Sequence, residues 1–404
     1  VAPYTGLGVR LRTAGHQVAV ATHDTFADLV TGAGLEFRPV GGDLRAAQTD
    51  SSARLLRRCG PGPRGLWEFA RVGRVFVDGL GDGIAAAAEP GIDVLLLSAS
   101  TAALGYSVAE LHGVPSMGVF LQPLRPTAAF PPMVSGGRSL GRWGNRWAGR
   151  LGLVLGRAVY AEASRRLRAR LGLPPVRLAA LDRRSAAGRW PVLHGFSPTV
   201  VPRPADWPPE LEVAGYWWPE RGRGWSAPPA LARFLADGPP PVFVGFGSMV
   251  SEGDRLTDLV GAALRRAGVR GVVQAGWAGL SAGRTDRDVI TIGEAPHEWL
   301  FPRMAALVHH AGSGTTAAGL RAGVPAVPVP MLADQPFWAA RLVELGVSPG
   351  VLTPRRLSPG RLAEAIRAAT RDPGTAARAR SVAARLAGED GAGVVVQAVD
   401  RLAG

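Results

Sequence analysis

Residues 306–335 read ALVHHAGSGTTAAGLRAGVPAVPVPMLADQ. The apolar run Ala306–His309 is short and bounded by small residues, which marks a buried strand. The tract His310-Ala311-Gly312-Ser313-Gly314 follows. Thr315–Gly323 then has helical spacing and stops at Gly323. Ala326–Val329 is a second strand. Strand, helix and strand in succession make a βαβ unit, whose two strands lie parallel with the helix crossing one sheet face.

The same alternation extends outward in both directions. On the C-terminal side of residue 240 we expect strands at Pro241–Gly245, Gly271–Ala275 and Val289–Ile292. Helices are expected at Arg255–Ala267, Trp299–Pro302, Pro336–Leu345 and from Ser358 to the end. Earlier in the chain, strands are expected at Gln17–Thr22, Glu36–Val40, Asp93–Ser98, Pro115–Phe120, Val192–His194 and Leu211–Gly215. Helices there fall at Tyr4–Ala14, Asp28–Gly34, Leu66–Glu89, Ala102–Gly113 and Ser139–Leu171. Residues 218–240, rich in Gly, Pro and Arg, read as a linker. The chain is therefore α/β, with two doubly wound, Rossmann-like domains facing across a cleft. Expected boundaries are 1–217, 241–385, and a C-terminal helix at 386–404 packing back on the first domain. The helix at Tyr4 has no strand before it, so we expect further residues upstream of Val1 to supply one.

Composition removes several alternatives. The 404 residues hold one cysteine, Cys59, and the 46 basic residues are all Arg. A disulfide, a Cys-rich metal site, a P-loop lysine and a lysine Schiff base are all excluded. No apolar run reaches the roughly 18 residues that would span a membrane. Together with the single cysteine and no opening signal peptide, this leads us to expect a cytoplasmic setting. The net charge is +14, but no nucleic-acid reader motif accompanies it. Asp286-Arg287-Asp288 has the form of a metal-binding DxD, yet it precedes a strand on a polar turn and reads as solvated, so no metal is expected.

Four segments carry polar groups at strand carboxyl ends. Around His310 the small residues let a ligand approach the backbone, and the first amides of the following helix lack intrahelical partners. With His310 and the hydroxyls of Ser313, Thr315 and Thr316 they form a cradle for a diphosphate. Asp334 and Gln335 can take sugar hydroxyls, although Asp334 also reads as a helix cap. Gly245-Phe246-Gly247-Ser248 permits a tight turn with Ser248 near phosphate. Glu294-Ala295-Pro296-His297 offers backbone to a base edge and His297 to a ribose, and Trp277 can stack or pack.

These pieces together resemble the donor domain of inverting, metal-independent nucleotide-sugar glycosyltransferases of the GT-B fold. Residues Trp299–Leu342 most resemble the branch that glucosylates sterols and natural products. His194–Pro208, Gly215–Pro219 and Phe120–Pro132 extend the likeness over nearly the whole chain. The resemblance implies that Ser248, His310, Gly312, Ser313, Gly314 and Thr315 hold the donor diphosphate. It also implies that Asp334 and Gln335 hold the sugar, and that Trp277, Ala295 and His297 serve base and ribose. Plant members place a Glu for ribose where this chain has Ala318. The catalytic base of bacterial members corresponds to a position just upstream of Val1, and His23 is a lesser candidate.

The first domain is then expected to hold a lipophilic acceptor, with Trp67, Phe69, Phe120, Gln122, Phe130, Trp143 and Trp147 as lining residues. Between Arg138 and Arg189 stand thirteen arginines against Glu162 and Asp182. That segment reads either as a solvated helix face or as a surface for an anionic membrane. The implied reaction moves glucose from UDP-glucose to a hydroxyl of a sterol, terpenoid or polyketide aglycone, with no further cofactor. The alternatives are a dTDP-deoxysugar donor on an antibiotic aglycone, a nucleotide-sugar epimerase, or a catalytically silent partner of another transferase.

Overall fold

The computed structural model describes residues 1–41, 77, 79–88, 91–135, 137–219, 225–246, 253–275, 287–331 and 333–404. Trp67, Phe69, Ser248, Trp277 and Cys59 lie outside them.

The first half opens with α1 (Ala2–Thr13), β1 (Ala19–Thr22), α2 (Ala27–Gly32) and β2 (Glu36–Pro39). β1 and β2 pair in parallel as a two-stranded sheet. A second parallel sheet contains β3 (Leu95–Leu97), β4 (Ser116–Phe120), β5 (Val192–His194) and β6 (Leu211–Val213), in that order across the sheet. Its crossovers carry α3 (Ala102–His112), α4 (Gly141–Arg170) and α5 (Leu178–Ala187). α4 is a single helix of 30 residues, where the sequence left open one helix or two. α5 is absent from the sequence reading altogether.

In the second half, α6 (Pro229–Ala236) precedes β7 (Val242–Gly245), α7 (Gly253–Ala267), β8 (Gly271–Gln274) and β9 (Val289–Ile292). Then come α8 (His297–Leu300), β10 (Ala306–His309), α9 (Ser313–Ala322), β11 (Ala326–Pro328) and α10 (Gln335–Glu344). The five strands are parallel in the order β11-β10-β7-β8-β9. Every residue of β7 and β10 is buried, as expected of strands covered on both faces. The expected linker is partly helical. Pro228 and Pro229 start α6, and Leu231 is buried beside Phe243 and Leu300 of the second half.

The chain ends in α11 (Pro359–Arg371), α12 (Pro373–Leu386) and α13 (Gly391–Ala403). Asp372 caps α12 by accepting from the amides of Gly374 and Thr375, and Asp390 caps α13 by accepting from Gly393. α13 lies on the first half. Its Val395 and Val399 share a core with Leu7, Val119 and Trp217.

The two halves meet through another core. Phe130 packs on Phe337 with ring centroids 5.4 Å apart, and Phe196 on Trp338 at 5.9 Å. The Arg341 guanidinium donates twice to the Val200 carbonyl, at 2.9 and 2.6 Å. This contact fixes one edge of the interface and leaves a cleft where the ends of β7, β8 and β10 face the first half.

Candidate active site

The cleft holds a cavity of about 910 Å³. Its second-half wall includes Gly245, Gln274, Ala295, His297, His310 and the start of α9. Its first-half wall includes Ala2, Pro3 and residues 216–219.

The loop after β10 places His310, Ser313 and Thr315 on this wall. His309 is fully buried, and its Nδ1 accepts from the Ala311 amide at 3.1 Å. Burial lowers its pKa to about 3, with a smaller contribution from His310 and then His297, so the ring is neutral near pH 7. Ala311 sits at φ +60, a left-handed conformation unusual for a residue with a side chain, and its methyl is buried. Gly312 has ordinary extended geometry. A Cβ there would lie 2.5 Å from His310 Nε2, so the glycine makes room for the imidazole.

The first bond of α9 runs from the Thr316 amide to the Gly312 carbonyl, 2.9 Å. The amides of Ser313, Gly314 and Thr315 precede it and have no intrahelical acceptor. All three residues line the cavity beside His310. No side chain caps the helix, so its positive end is open to a ligand. Desolvation lowers the His310 pKa, while Asp334 and the Gly245 backbone oppose that shift.

The loop after β11 is organised differently. Gln335 is buried, and its Oε1 accepts from the Met331 amide at 2.7 Å. Asp334 Oδ2 accepts from the Trp338 indole at 2.9 Å. The expected capping bond from Asp334 is not made. Asp334 is half-buried and near enough to attract His310, but neither it nor Gln335 lines the cavity.

At the opposite end, His297 stacks on Phe301 with centroids 4.2 Å apart. Burial, and to a lesser degree His310, lowers its pKa to about 4. Ala295 and Ala318 also face the cavity, and Ala318 brings no hydrogen-bonding side chain. Among the lining residues that the sequence reading does not single out are Gln274, Arg321 and Trp218. Gln274 is a polar terminus on an otherwise apolar strand, a signal that was available. Arg321 lies over the Trp218 ring at 4.5 Å, a pairing across the halves that has no local signature.

The described residues of the expected acceptor wall lie off this cavity. Phe120 and Phe130 are buried in the core shared by the two halves, against Trp190, Trp207 and Phe337. Trp143 and Trp147 stand on the outside of α4, 80% and 66% exposed, rather than in the cavity. Gln122 is half-buried after β4 and does not line the cavity. His23 lies at the end of β1, also half-buried and off the cavity wall.

Comparison with known proteins agrees with this fold. Residues 281–402 match the family model described as erythromycin biosynthesis protein CIII-like, C-terminal domain. The O-mycaminosyltylonolide 6-deoxyallosyltransferase of Streptomyces fradiae is 35% identical over 408 residues, 97% of this chain and 92% of that one. A sterol 3-beta-glucosyltransferase of Arabidopsis thaliana is 32% identical over 412 residues. There the match covers 99% of this chain, which spans 66% of the plant relative's length. Among solved structures, the glycotransferase of kitacinnamycin superposes with a TM-score of 0.72 at 20% identity, over 100% of this chain and 96% of its own. The glycosyltransferase VinC in complex with DTDP gives 0.68 at 21%, with the same coverage. The likeness along nearly the full length of the Streptomyces fradiae protein, on two parallel-sheet halves meeting at a cleft, establishes that the chain belongs to the glycosyltransferases of the GT-B fold.

Proposed function

We propose that this chain transfers glucose from UDP-glucose to a hydroxyl of a lipophilic small molecule, a sterol, terpenoid or polyketide aglycone, with inversion at the anomeric carbon. The observation that carries this reading is the row of open amides at Ser313, Gly314 and Thr315 beside His310, all on one cavity wall. In the reaction the acceptor oxygen attacks C1 and the C1–O bond to the diphosphate breaks. The bonding pair leaves with the diphosphate and the hydroxyl proton goes to a base. Negative charge thus grows on the diphosphate, where fixed donors stabilise the transition state more than the ground state. The helix end and the imidazole supply those donors.

Asp334 is the partner for the sugar. One of its oxygens is already held by Trp338, which orients the carboxylate for the other to receive a hydroxyl. Gln335 holds the loop backbone in place through Met331. His297 and Ala295 border the nucleoside end, with Gln274 and Arg321 as added polar groups. Ala2 and Pro3 bring the start of α1 to the cavity.

Glucose as the sugar draws on the plant and fungal sterol glucosyltransferase relatives. A dTDP-deoxysugar donor is the second reading, favoured by the deoxyallosyltransferase relative and by solved neighbours named as holding thymidine diphosphate. Calorimetric titration with UDP and dTDP, followed by mass spectrometry of reactions with each donor sugar and a panel of sterol and macrolide aglycones, tests both. The expected result is tighter UDP binding and a hexose mass added to an aglycone. A strong preference for dTDP overturns the donor assignment. Nucleotide binding with no product from any donor favours the silent-partner alternative.

A further inference from the structure

On α4 the residues Leu140, Trp143, Trp147, Leu151 and Val154 are 55%, 80%, 66%, 56% and 55% exposed. Leu140 is the residue before the helix and the others lie along it. At about 100° per residue these five positions fall within an arc of about 80°. They form one continuous apolar stripe, unlike scattered surface leucines, which need no explanation. The opposite face of α4 is conventional: Asn145, Gly149, Val159, Ala163 and Leu167 are buried.

The flank of the stripe is basic. Arg142, Arg146, Arg150 and Arg157 follow one edge of the arc, and Arg165, 70% exposed and paired with Glu162 at 2.6 Å, continues along its centre line. Arg146 is paired with Asp206 at 3.4 Å and Arg157 with Asp182 at 2.5 Å. Arg142 and Arg150 have no carboxylate partner among the described residues, and the Arg150 guanidinium lies 5.6 Å from the Trp147 ring centre.

We propose that this face of α4 is a docking surface for an anionic membrane, lying in the headgroup region with Trp143 and Trp147 turned toward the acyl chains. Tryptophan with arginine at its side suits the boundary between water and lipid, because each has an apolar body and a polar end. Of the thirteen arginines in 138–189, six pair with carboxylates, the buried Arg168 among them; the remaining excess, with Arg142 and Arg150 on this face, matches a polyanionic plane. The same excess repels a second copy of this face, so charge argues against a symmetric dimer. No described helix is long and apolar enough to cross a membrane, so the contact lies along the surface.

The stripe begins beside α10 of the second half. Gly137, at φ +79 just before α4, lies so close to α10 that a Cβ on it would be 2.6 Å from the Pro336 carbonyl oxygen. Docking would therefore bring the loop of Asp334 and Gln335 near the lipid surface. A lipophilic acceptor then reaches the cleft without crossing bulk water. That consequence rests on the function proposed above; the docking itself does not.

Co-sedimentation with vesicles of phosphatidylcholine and phosphatidylglycerol (70:30), against pure phosphatidylcholine, tests the surface. The full chain is expected to partition at least about tenfold more strongly to the anionic vesicles, and less so as salt rises. Trp143→Ser with Trp147→Ser is expected to lower partition about tenfold at every salt concentration. Arg142→Gln with Arg150→Gln is expected to remove most of the salt dependence. Leu151→Ser with Val154→Ser provides an independent apolar variant, and circular dichroism of each confirms the fold. Equal partition to both vesicle types, or unchanged partition of the tryptophan variant, overturns the proposal. So does a vesicle-free dimer in sedimentation velocity that the tryptophan variant dissociates. Partition is read without donor or acceptor, so a failure to transfer sugar leaves this result standing.

Discussion

The loops after β10 and β11 stand side by side at the carboxyl ends of adjacent parallel strands, and each contains an alanine in the left-handed region, Ala311 at φ +60 and Ala333 at φ +55. They use that turn in opposite ways. In the first, the backbone turns its donors outward: three amides at the start of α9 face the cavity. In the second, side chains turn inward, with Gln335 receiving the Met331 amide and Asp334 receiving the Trp338 indole. An open helix end binds charge of any attached sugar. A loop closed by its own carboxamide has a fixed shape, which is what discrimination among hydroxyl patterns requires.

The widest separation between the loops should appear in kinetics. His310→Ala is expected to lower kcat/KM by about 10²–10³-fold, or about 3–4 kcal/mol, and to weaken UDP itself. Asp334→Ala should weaken UDP-glucose while leaving the affinity for UDP nearly unchanged. Equal loss of UDP affinity in both variants would erase the division of labour between the loops. Gln335→Ala should show its effect in stability, because it strands the partly buried Met331 amide. A loss of about 1–3 kcal/mol is expected in denaturant unfolding.

Acid should act on the first loop. His309 is neutral in the folded protein, with its pKa lowered to about 3 by burial, whereas the unfolded chain protonates near 6.5. The unfolded state therefore binds more protons below that value, and stability present above pH 6.5 is lost as pH falls toward 3. For this one imidazole the loss between pH 7 and pH 5.5 is about 1 kcal/mol. His309→Asn, which keeps an acceptor for Ala311, should flatten the slope of urea midpoints over that interval; an unchanged slope refutes the assignment. The smallest effect is at the two alanines. Ala333 is exposed, so Ala333→Gly should relieve strain and raise Tm slightly, by an equivalent of up to about 1 kcal/mol. The buried methyl of Ala311 packs against the shared core, so Ala311→Gly should bring no gain, as thermal melts of the pair would show.

What was legible in the sequence follows the same division. The open amides beside His310 could be read locally, because small residues between a strand and a helix leave amides unpaired by geometry alone. The βαβ alternation placed most strands to within a residue or two for the same reason. Which first-half aromatics are buried in the shared core could not be read this way. Whether Phe130 faces a cavity or a core depends on Trp207 from its own half and Phe337 from the other, and no local pattern records that. The pairing of Arg321 with Trp218 is likewise made only when the halves meet. Two helices were passed over for a different cause. Prolines at 228 and 229 drew attention as linker residues, although proline is favoured at the first turn of a helix and ALARFLA follows it. α5 begins after Pro174 and Pro175 and was obscured in the same fashion.

α13 carries a consequence for the protein's integrity. The chain leaves the first half near Pro219 and returns at Glu389, which receives the Ser197 hydroxyl at 2.6 Å. There Gly391 abuts Gly215 so tightly that a Cβ on it would lie 2.3 Å from the Gly215 carbonyl carbon. The polypeptide is laced twice across the cleft, and α13 completes the hydrophobic interior that Leu7, Val119 and Trp217 begin. Severing it upstream of Glu389 would strip Leu7, Val119 and Trp217 of their cover, so an isolated amino-terminal fragment is expected to be recovered as aggregate until the missing helix is supplied as a peptide.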